Sequence, residues 1–345
     1  MRDLRPLVAA VQRNCDIADA RHARDMTMCN YLLGMREYYA WEAGVPCGQA
    51  PGREELSRWL TEREAHWAQL EDADYASLPV AGGMVEPFEA SEANRALLPD
   101  GLVYGAGIGR FGRPHFFLAR LAARERREGL EVLVAGCEYA RDMSATVAAL
   151  QGDAILVRRD VLSRWLWEKY EAWSNRRPDG ALKAALDHYR FTGDAAAALA
   201  RMTEGEAETL VLHELGEARA GALLGPAWER MLAGMDRRAE VLARALRDDL
   251  ADCLSTLPAL LRRDAQPSLH FFFSNFDGMR RVLFPSLARA YRAWSASGET
   301  GALLEAIEAG AAHWLAQARR ILALHAAGDG AIAALGAGEP PAIAL

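Results

Sequence analysis

The chain contains 345 residues, of which 51% are apolar and 25% are charged, and its formal net charge at pH 7 is −7. This is the composition of an ordinary globular protein with a sizeable core, and the length favours two packed lobes. The acidic balance, together with the lack of a Lys/Arg-rich face interleaved with aromatic residues, argues against a nucleic-acid-binding protein.

The cysteines and the first residues of the chain predict a reducing compartment. The five cysteines are odd in number, widely scattered and never spaced as CxxC, which is typical of free thiols rather than of a disulfide framework. The N-terminus does not resemble a signal peptide, and no window of about 18 uninterrupted apolar residues predicts a transmembrane helix. We therefore expect a cytoplasmic protein without membrane contact.

The first 75 residues have helical periodicity. Apolar or weakly polar residues recur every three or four positions from Leu4 to Glu42, which predicts a long amphipathic helix with Asn14 as the expected point of any break. Residues 44–52 contain two prolines and three glycines and predict a loop. A second helix is predicted from Glu54 to about Leu70.

Short apolar runs bounded by glycine follow between about Leu78 and Leu162, and they predict a small sheet. The segment 118–127 fits either a strand or a helix. The predicted strands cover residues 101–109, 114–118, 130–135 and 153–157.

Helical periodicity returns after Leu162. The run Thr203-Glu-Gly-Glu206 matches a capping box and predicts the start of a helix, and Gly225-Pro226 predicts a stop. The predicted helices lie near 180–200, 203–224, 226–260, 278–297 and 300–326. The expected fold class is mainly α (α+β), a multi-helix bundle with a small β-sheet insert in the N-terminal half. The expected segments are 1–75 (helical), 76–162 (β-containing insert), 163–327 (helical bundle) and 328–345 (a flexible tail rich in Ala, Gly and Pro).

The most informative pattern is the run His213-Glu-Leu-Gly-Glu217 within a predicted helix. Residues four apart lie on the same side of a helix, so His213 and Glu217 can bind one metal ion while Glu214 projects about 100° away. Glu214 is the expected general base toward a water activated by the ion, or an additional ligand. Gly216 and Ala220 leave room for a neighbouring helix or a ligand on the same face. The run lacks the second histidine of HExxH, which weakens a protease interpretation.

Further metal ligands are expected on two other helices. Asp19 and His22 interrupt the apolar stripe of the N-terminal helix, and a charge in such a stripe must be hydrogen-bonded or ligated. Asp249 lies between Leu246 and Leu250 on the predicted buried side of its helix and is a candidate third carboxylate. The alternatives are a structural couple between helices for Asp19 and His22, and a salt bridge to a nearby arginine for Asp249. Carboxylates with one or two histidines suit Fe, Mn or Zn rather than Cu.

Two other patterns predict structure rather than chemistry. Residues 104–112 are rich in glycine but match neither GxGxxG nor the P-loop, so they predict a hairpin turn instead of a nucleotide site. His270 lies in the most aromatic segment, residues 268–277, where a packed core histidine is favoured over a pocket-lining one.

Three runs carry a resemblance to a known family: Cys15-Asp-Ile-Ala-Asp-Ala-Arg-His22, Tyr31-Leu-Leu-Gly-Met-Arg-Glu-Tyr-Tyr39 and Leu212-His-Glu-Leu-Gly-Glu-Ala-Arg-Ala-Gly221. They resemble an uncharacterised bacterial family known only as a domain of unknown function. The resemblance spans most of the chain and implies a bacterial cytosolic protein. It implies no reaction and no site residues.

These patterns support one leading hypothesis and two alternatives. The leading one is a cytoplasmic, metal-dependent enzyme with a small-molecule substrate and hydrolytic or Fe/Mn oxygen chemistry, in which His213 and Glu217 bind the ion with Asp19 or His22. The second is a non-catalytic helical binding or regulatory protein in which these residues only fix helix packing. The third is an enzyme without metal that uses Asp19 and His22 as an acid/base dyad, provided that His22 lines a cavity and His213 does not. The tryptophan cluster at 165–173 is expected to cover a core or a homo-oligomer interface.

Overall fold

The computed structural model describes residues 3–109 and 112–327. The predicted flexible tail, 328–345, lies outside the described residues. The chain forms two compact units, Met1–Glu171 and Ala172–Leu345, so the predicted helical segment 1–75 and the β-containing insert share the first unit. Within the described ranges, no helix combines the length and the apolar character that a membrane crossing requires.

The first unit begins with three α-helices: α1 (Arg5–His22), α2 (Met28–Glu42) and α3 (Arg53–Ala68). The predicted single helix from Leu4 to Glu42 is divided into α1 and α2, but not at Asn14. Helix α1 continues through Asn14, whose side chain bonds the backbone N–H and C=O of Ala76 at 2.7 and 2.8 Å. The helix ends at His22, and a single 3₁₀ turn follows. Thr27 then caps α2 by accepting from the amide of Asn30.

Strands and one short helix make up the middle of this unit: β1 (Leu78–Val80), β2 (Gly83–Val85), α4 (Ala90–Leu97), β3 (Leu102–Ile108), β4 (Pro114–Arg127), β5 (Leu130–Arg141), β6 (Ala148–Gln151) and β7 (Ala154–Arg158). The larger sheet has the order β3-β4-β5-β7-β6, in which only β5 and β7 pair in parallel. The pairing of Ile108 with Pro114 confirms the predicted hairpin, although Arg110 and Phe111 at its tip lie outside the described residues. Residues 118–127 are strand rather than helix.

The core of the first unit forms where α1 packs on the sheet. Leu7, Val11 and Cys15 of α1 are buried against Tyr104 and Phe116. A last helix, α5 (Arg159–Ser174), contains the boundary between the two units. These contacts explain why the apolar stripe of α1 is a reliable predictor of its buried face.

Helices are the regular secondary structure of the second unit among its described residues. Its helices are α6 (Ala181–Tyr189), α7 (Ala195–Leu224), α8 (Pro226–Ala233), α9 (Arg237–Ala251), α10 (Leu257–Arg262), α11 (Gln266–Ser274), α12 (Gly278–Leu283), α13 (Pro285–Ser297) and α14 (Gly301–Ala326). A π-helical segment, Asp252–Thr256, joins α9 to α10. Trp228, Leu246, Phe284 and Trp314 are fully buried in one continuous core.

The predicted helix start at Thr203 is wrong. Helix α7 begins eight residues earlier, at Ala195, where Asp194 accepts from the amides of Ala196 and Ala197. Thr203 lies inside the helix, and its hydroxyl donates to the carbonyl of Leu199 at 2.8 Å. The stretch after Asp194 is alanine-rich, and alanine has the highest helix propensity, so the true cap lies before it.

The predicted helices 226–260 and 278–297 are each interrupted in the structure. Helix α12 ends at Leu283, because Phe284 precedes Pro285 and the residue before a proline is disfavoured in helical conformation. The chain is α+β and mainly helical, with its small sheets in the N-terminal half, as the sequence predicts.

Candidate metal centre

A close backbone contact between α7 and the end of α9 brings the candidate residues together. A Cβ on Gly216 would lie only 2.3 Å from the carbonyl oxygen of Ala251, so only glycine permits this approach. Arg219 donates to the carbonyl oxygen of Leu254 in the π-helical segment at 2.6 Å. The predicted role of Gly216, space for a neighbouring helix, is confirmed. Such single π-helical turns occur often at functional sites.

His213 projects from α7 onto the first residue of the π-helical segment. Its Nδ1 lies 2.8 Å from Asp252 Oδ1, and its Nε2 lies 3.7 Å from Glu217 Oε1. Burial alone would lower the pKa of His213, but the charge of Asp252 and the hydrogen bond to it outweigh burial. With Glu214 and Asp248 nearby, they raise this pKa to about 10. His213 is therefore cationic at neutral pH unless an ion replaces its proton.

Asp252 is a buried carboxylate with three partners. Besides His213, it accepts from the hydroxyl of Thr256 at 2.6 Å and from Nη2 of Arg280. Burial raises the pKa of Asp252, but Arg280 and His213 overcome that effect and lower it to about 2. Asp252 therefore remains ionised and fixes the orientation of the His213 ring.

His213, Glu217 and Asp248 form a three-residue cluster that can hold a metal ion. Each is half-buried, and one ligand atom from each lies within 4.8 Å of the other two. Ligands at about 2.1 Å from a shared ion lie at most about 4.2 Å apart, so small side-chain adjustments would close the site. One imidazole and two carboxylates suit Zn, Mn or Fe. The hydrogen bond from the other ring nitrogen of His213 to Asp252 is the usual support of a metal-binding histidine.

Arg247 competes for one of these ligands. Its Nη2 donates to Glu217 Oε1 at 2.7 Å, and its Nη1 donates to Glu229 Oε1 at 3.2 Å. Burial lowers the pKa of Arg247, but the charges of Glu217 and Asp248 outweigh burial and raise it, so the guanidinium is charged. An ion bound by Glu217 would therefore share this carboxylate with Arg247 or displace it.

Asp249 belongs to a separate ion pair beside this cluster. Its Oδ1 accepts from Nε of Arg280 at 3.0 Å, which is the arginine salt bridge that the sequence offered as the alternative. Its Oδ2 is buried without a hydrogen-bond partner among the described residues. Burial raises the pKa of Asp249 to about 7 despite Arg280. Arg280 thereby connects Asp249 with Asp252.

Asp19 and His22 lie in the first unit and have partners there. Asp19 is fully buried and accepts from Nη2 of Arg113 at 2.8 Å and from the amide of Met143 at 2.9 Å. Burial raises the pKa of Asp19 to about 8, although Arg113 and the Met143 amide oppose the shift. His22 Nδ1 lies 3.4 Å from Asp25 Oδ2. Both oxygens of Asp19 thus face groups other than His22, and this disfavours the acid/base dyad.

Sequence reasoning missed four members of the arrangement around His213: Arg247, Asp248, Asp252 and Arg280. The run Arg247-Asp-Asp-Leu-Ala-Asp252 contains three of them, and its charge density was a visible signal. The choice between Asp248 and Asp249 depends on the rotation of α9 against α7, which no local pattern specifies. Glu214 is buried, in agreement with its position beside the cluster, and His270 is buried as expected.

Two family models match the chain. The N-terminal domain model of the family of unknown function DUF6866 covers residues 6–158, and the C-terminal domain model of the same family covers residues 163–336. No curated protein and no solved structure matches the sequence. The predicted resemblance to a domain of unknown function is thereby confirmed over both parts of the chain. The chain belongs to the family of unknown function DUF6866.

Proposed function

We propose that the protein is a cytoplasmic metal-dependent enzyme in which His213, Glu217 and Asp248 bind one divalent ion. The observation that carries the proposal is the fixed imidazole: Asp252 holds Nδ1 at 2.8 Å, while Nε2 lies 3.7 Å from Glu217. A histidine restrained in this way loses little side-chain entropy when it binds an ion. Asp248 replaces the ligands that the sequence suggested from the N-terminal helix.

The surroundings of the cluster suit hydrolysis of a small molecule. A bound divalent ion supplies a Lewis acid that polarises a substrate oxygen and acidifies water. Glu214 lies close enough to His213 to influence its pKa and is the proposed general base. Arg247 would hold a negatively charged substrate group beside the cluster. The five cysteines are free thiols, which supports the cytoplasmic assignment.

A second candidate function is non-catalytic, with the same residues joining helices. Its support is the ionic pairing of the carboxylates: Glu217 faces Arg247, and both Asp249 and Asp252 face Arg280. Buried ion pairs of this kind fix the register of packed helices in some proteins. Asp248 has no such ion pair in the described contacts. The first candidate requires Asp248 for ion binding, and the second gives it no such role.

Metal binding by the intact chain distinguishes the two candidates. After removal of bound ions with a chelator, titration calorimetry with Mn²⁺ and Zn²⁺ should give one site, and elemental analysis should find the ion in the purified protein. We expect His213→Ala and Asp248→Asn to weaken binding at least about tenfold. Asp248→Asn serves as the second variant because His213→Ala removes a buried partner of Asp252.

Glu229→Gln is the matched control, because it removes a carboxylate from the same Arg247 without touching the cluster. Its metal affinity should equal that of the wild type. Equal affinity of Asp248→Asn and wild type, or a folded wild type that binds neither ion at about millimolar concentration, would favour the packing function instead.

A further inference from the structure

A cavity of about 440 Å³ lies in the first unit, independent of the candidate metal centre. It is bounded by the end of α1, the 3₁₀ turn after it, the start of α2 and the end of α3. Its apolar wall is formed by Ala20, Ala23, Met26, Met28 and Trp67. A volume of this size is typical of a small-molecule site, and methionine side chains adapt their shape to a ligand.

The polar groups of this cavity are unequally paired. Arg24 contributes the positive charge among the residues that line it, and Nη1 of Arg24 lies 3.3 Å from Glu71 Oε1. Glu64 instead accepts one hydrogen bond, at 2.7 Å, from the uncharged hydroxyl of Tyr31. The lining therefore contains two carboxylates, Glu64 and Glu71, and one cation, Arg24, which leaves one excess negative charge. A carboxylate oxygen pair has about four acceptor positions, so Glu64 retains capacity for a further donor.

Aromatic rings lie beside that unbalanced carboxylate. Tyr31 and Trp67 both line the cavity, and Trp67 is buried while Tyr31 is half-buried. The faces of such rings attract organic cations, most strongly where water is displaced. Apart from the Arg24–Glu71 pair, the lining thus offers a carboxylate, a tyrosine hydroxyl, two rings and apolar side chains, which match an ammonium group carried on an apolar body.

We propose that this cavity binds a small organic amine in its cationic form. Its ammonium group lies against Glu64 and Tyr31, and its apolar body contacts Met26, Met28 and Trp67. The excess negative charge of the lining repels a carboxylate ligand of the same shape. A neutral alcohol lacks the positive charge that Glu64 attracts. The site is therefore selective for charge, and this proposal does not depend on metal binding in the second unit.

Three probes with one apolar body test the proposal on the full chain: 4-phenylbutylamine, 4-phenylbutanol and 4-phenylbutyrate. Ligand-observed NMR titration should give binding of the amine about tenfold tighter than that of the alcohol, with the carboxylate weakest. Glu64→Gln should remove this preference for the amine. Ala68→Trp, at an exposed position in the cavity lining, should weaken all three probes by filling the space.

Glu62→Gln is the matched control, since Glu62 is exposed on the same helix and does not line the cavity. Circular dichroism of each variant establishes that it is folded. The proposal is overturned if the three probes bind equally, if the alcohol or the carboxylate binds best, if no probe binds at about 10 mM, or if Glu64→Gln binds the amine like wild type.

Discussion

Among the carboxylates near His213, Asp252 has the largest influence on the protonation of the ring. Asp252 is held ionised by Arg280 and in turn keeps His213 cationic, with a pKa of about 10. Because this pKa is raised above the ordinary value of 6.5, the pair stabilises the fold at pH values below 6.5. That contribution falls as the pH rises toward 10. The contribution of Asp252 is present above pH 3.8 and is lost progressively as the pH falls from 3.8 to about 2, because its pKa is lowered in the folded state.

Asp252→Asn should lower the pKa of His213 from about 10 toward its ordinary value of 6.5. Without the carboxylate charge, burial becomes the dominant influence, and burial disfavours the cationic ring. NMR titration of the His213 ring protons, in the presence of a chelator, measures the change. Thr256→Val is the control, because it removes a hydrogen bond to Asp252 but keeps its charge. If His213 keeps its high pKa in Asp252→Asn, another carboxylate holds the proton.

A second buried acid, Glu206, lies two turns before His213 on α7. Tyr189 donates to Glu206 Oε1 at 2.8 Å. Burial raises the pKa of Glu206 to about 7, although hydrogen bonds from Tyr189, Ser268 and Thr209 oppose the shift. A carboxyl group with a raised pKa binds its proton more tightly in the folded state. Its ionisation therefore costs stability as the pH rises from 4.5 toward 7.

Glu206→Gln should become more stable relative to wild type between pH 4.5 and 7. The neutral amide keeps an acceptor for Tyr189 and has no ionisation cost, so the difference in unfolding free energy should change by on the order of 3 kcal/mol. Urea denaturation of both proteins at the two pH values measures it. The exposed Glu204→Gln provides the comparison, and its difference from wild type should stay nearly constant. A constant difference for Glu206→Gln as well would contradict the raised pKa.

The contact between α7 and the end of α9 depends on the absence of one side chain. Gly216 faces the backbone of Ala251, and a single methyl group would lie within 3.1 Å of three backbone atoms there. Backbone cannot rotate away as a side chain can, so the helices would have to separate. Separation would also displace His213 from Asp252, which makes this contact the link between helix packing and the candidate site.

Gly216→Ala should lower the unfolding free energy by about 2 kcal/mol and the melting temperature by about 5 °C, despite the better helix propensity of alanine. Gly221→Ala, in the same helix with open space around the added methyl, should be neutral or stabilising by up to about 1 kcal/mol. Thermal unfolding followed by circular dichroism compares them. Equal melting temperatures for the two variants would show that the helices can move apart freely.

The sequence predicts helix faces and side-chain positions well where they depend on residues close together in the chain. The i, i+4 spacing of His213 and Glu217 sets their common face, and the structure has their side chains 3.7 Å apart. The start of α7 was predicted wrongly because a Thr-x-x-Glu run also fits a helix interior, where threonine bonds the preceding turn. The partner of Asp19 could not be predicted, since Arg113 lies 94 positions away in sequence. Such pairings depend on tertiary packing.

At the scale of the whole molecule, the boundary between the two compact units falls within α5 rather than at its start. The family models divide the chain between residues 158 and 163, whereas the structural boundary follows Glu171. Within the first unit, α5 contacts the loop after α2: Arg164 donates to the carbonyl oxygen of Val45 at 3.4 Å. The ring of Trp167 covers Gly48 so closely that an added Cβ would lie 2.9 Å from it. These contacts explain why α5 belongs to the first unit as far as Glu171.

A fragment of residues 1–174 should unfold cooperatively and at a higher temperature than a fragment of residues 1–158. The longer fragment retains the Arg164 and Trp167 contacts with the loop after α2, and the shorter one exposes the surface that α5 covers. Differential scanning calorimetry and limited proteolysis compare the two. Identical melting curves and cleavage rates would mean that α5 adds no stability to the first unit.

The long strand β4 has a consequence for association between copies of the chain. Its pairing with β3 stops at Arg120, while its pairing with β5 continues to Arg127. The outer half therefore presents an open strand edge, the kind of surface that recruits a strand from another molecule and leads to aggregation. Charged side chains line that edge: Arg124 pairs with Glu131 and Arg127 pairs with Glu125, so Arg126 adds a net positive charge. At low ionic strength, repulsion between the positive edges of two copies opposes their pairing. Salt screens this repulsion and so weakens the protection.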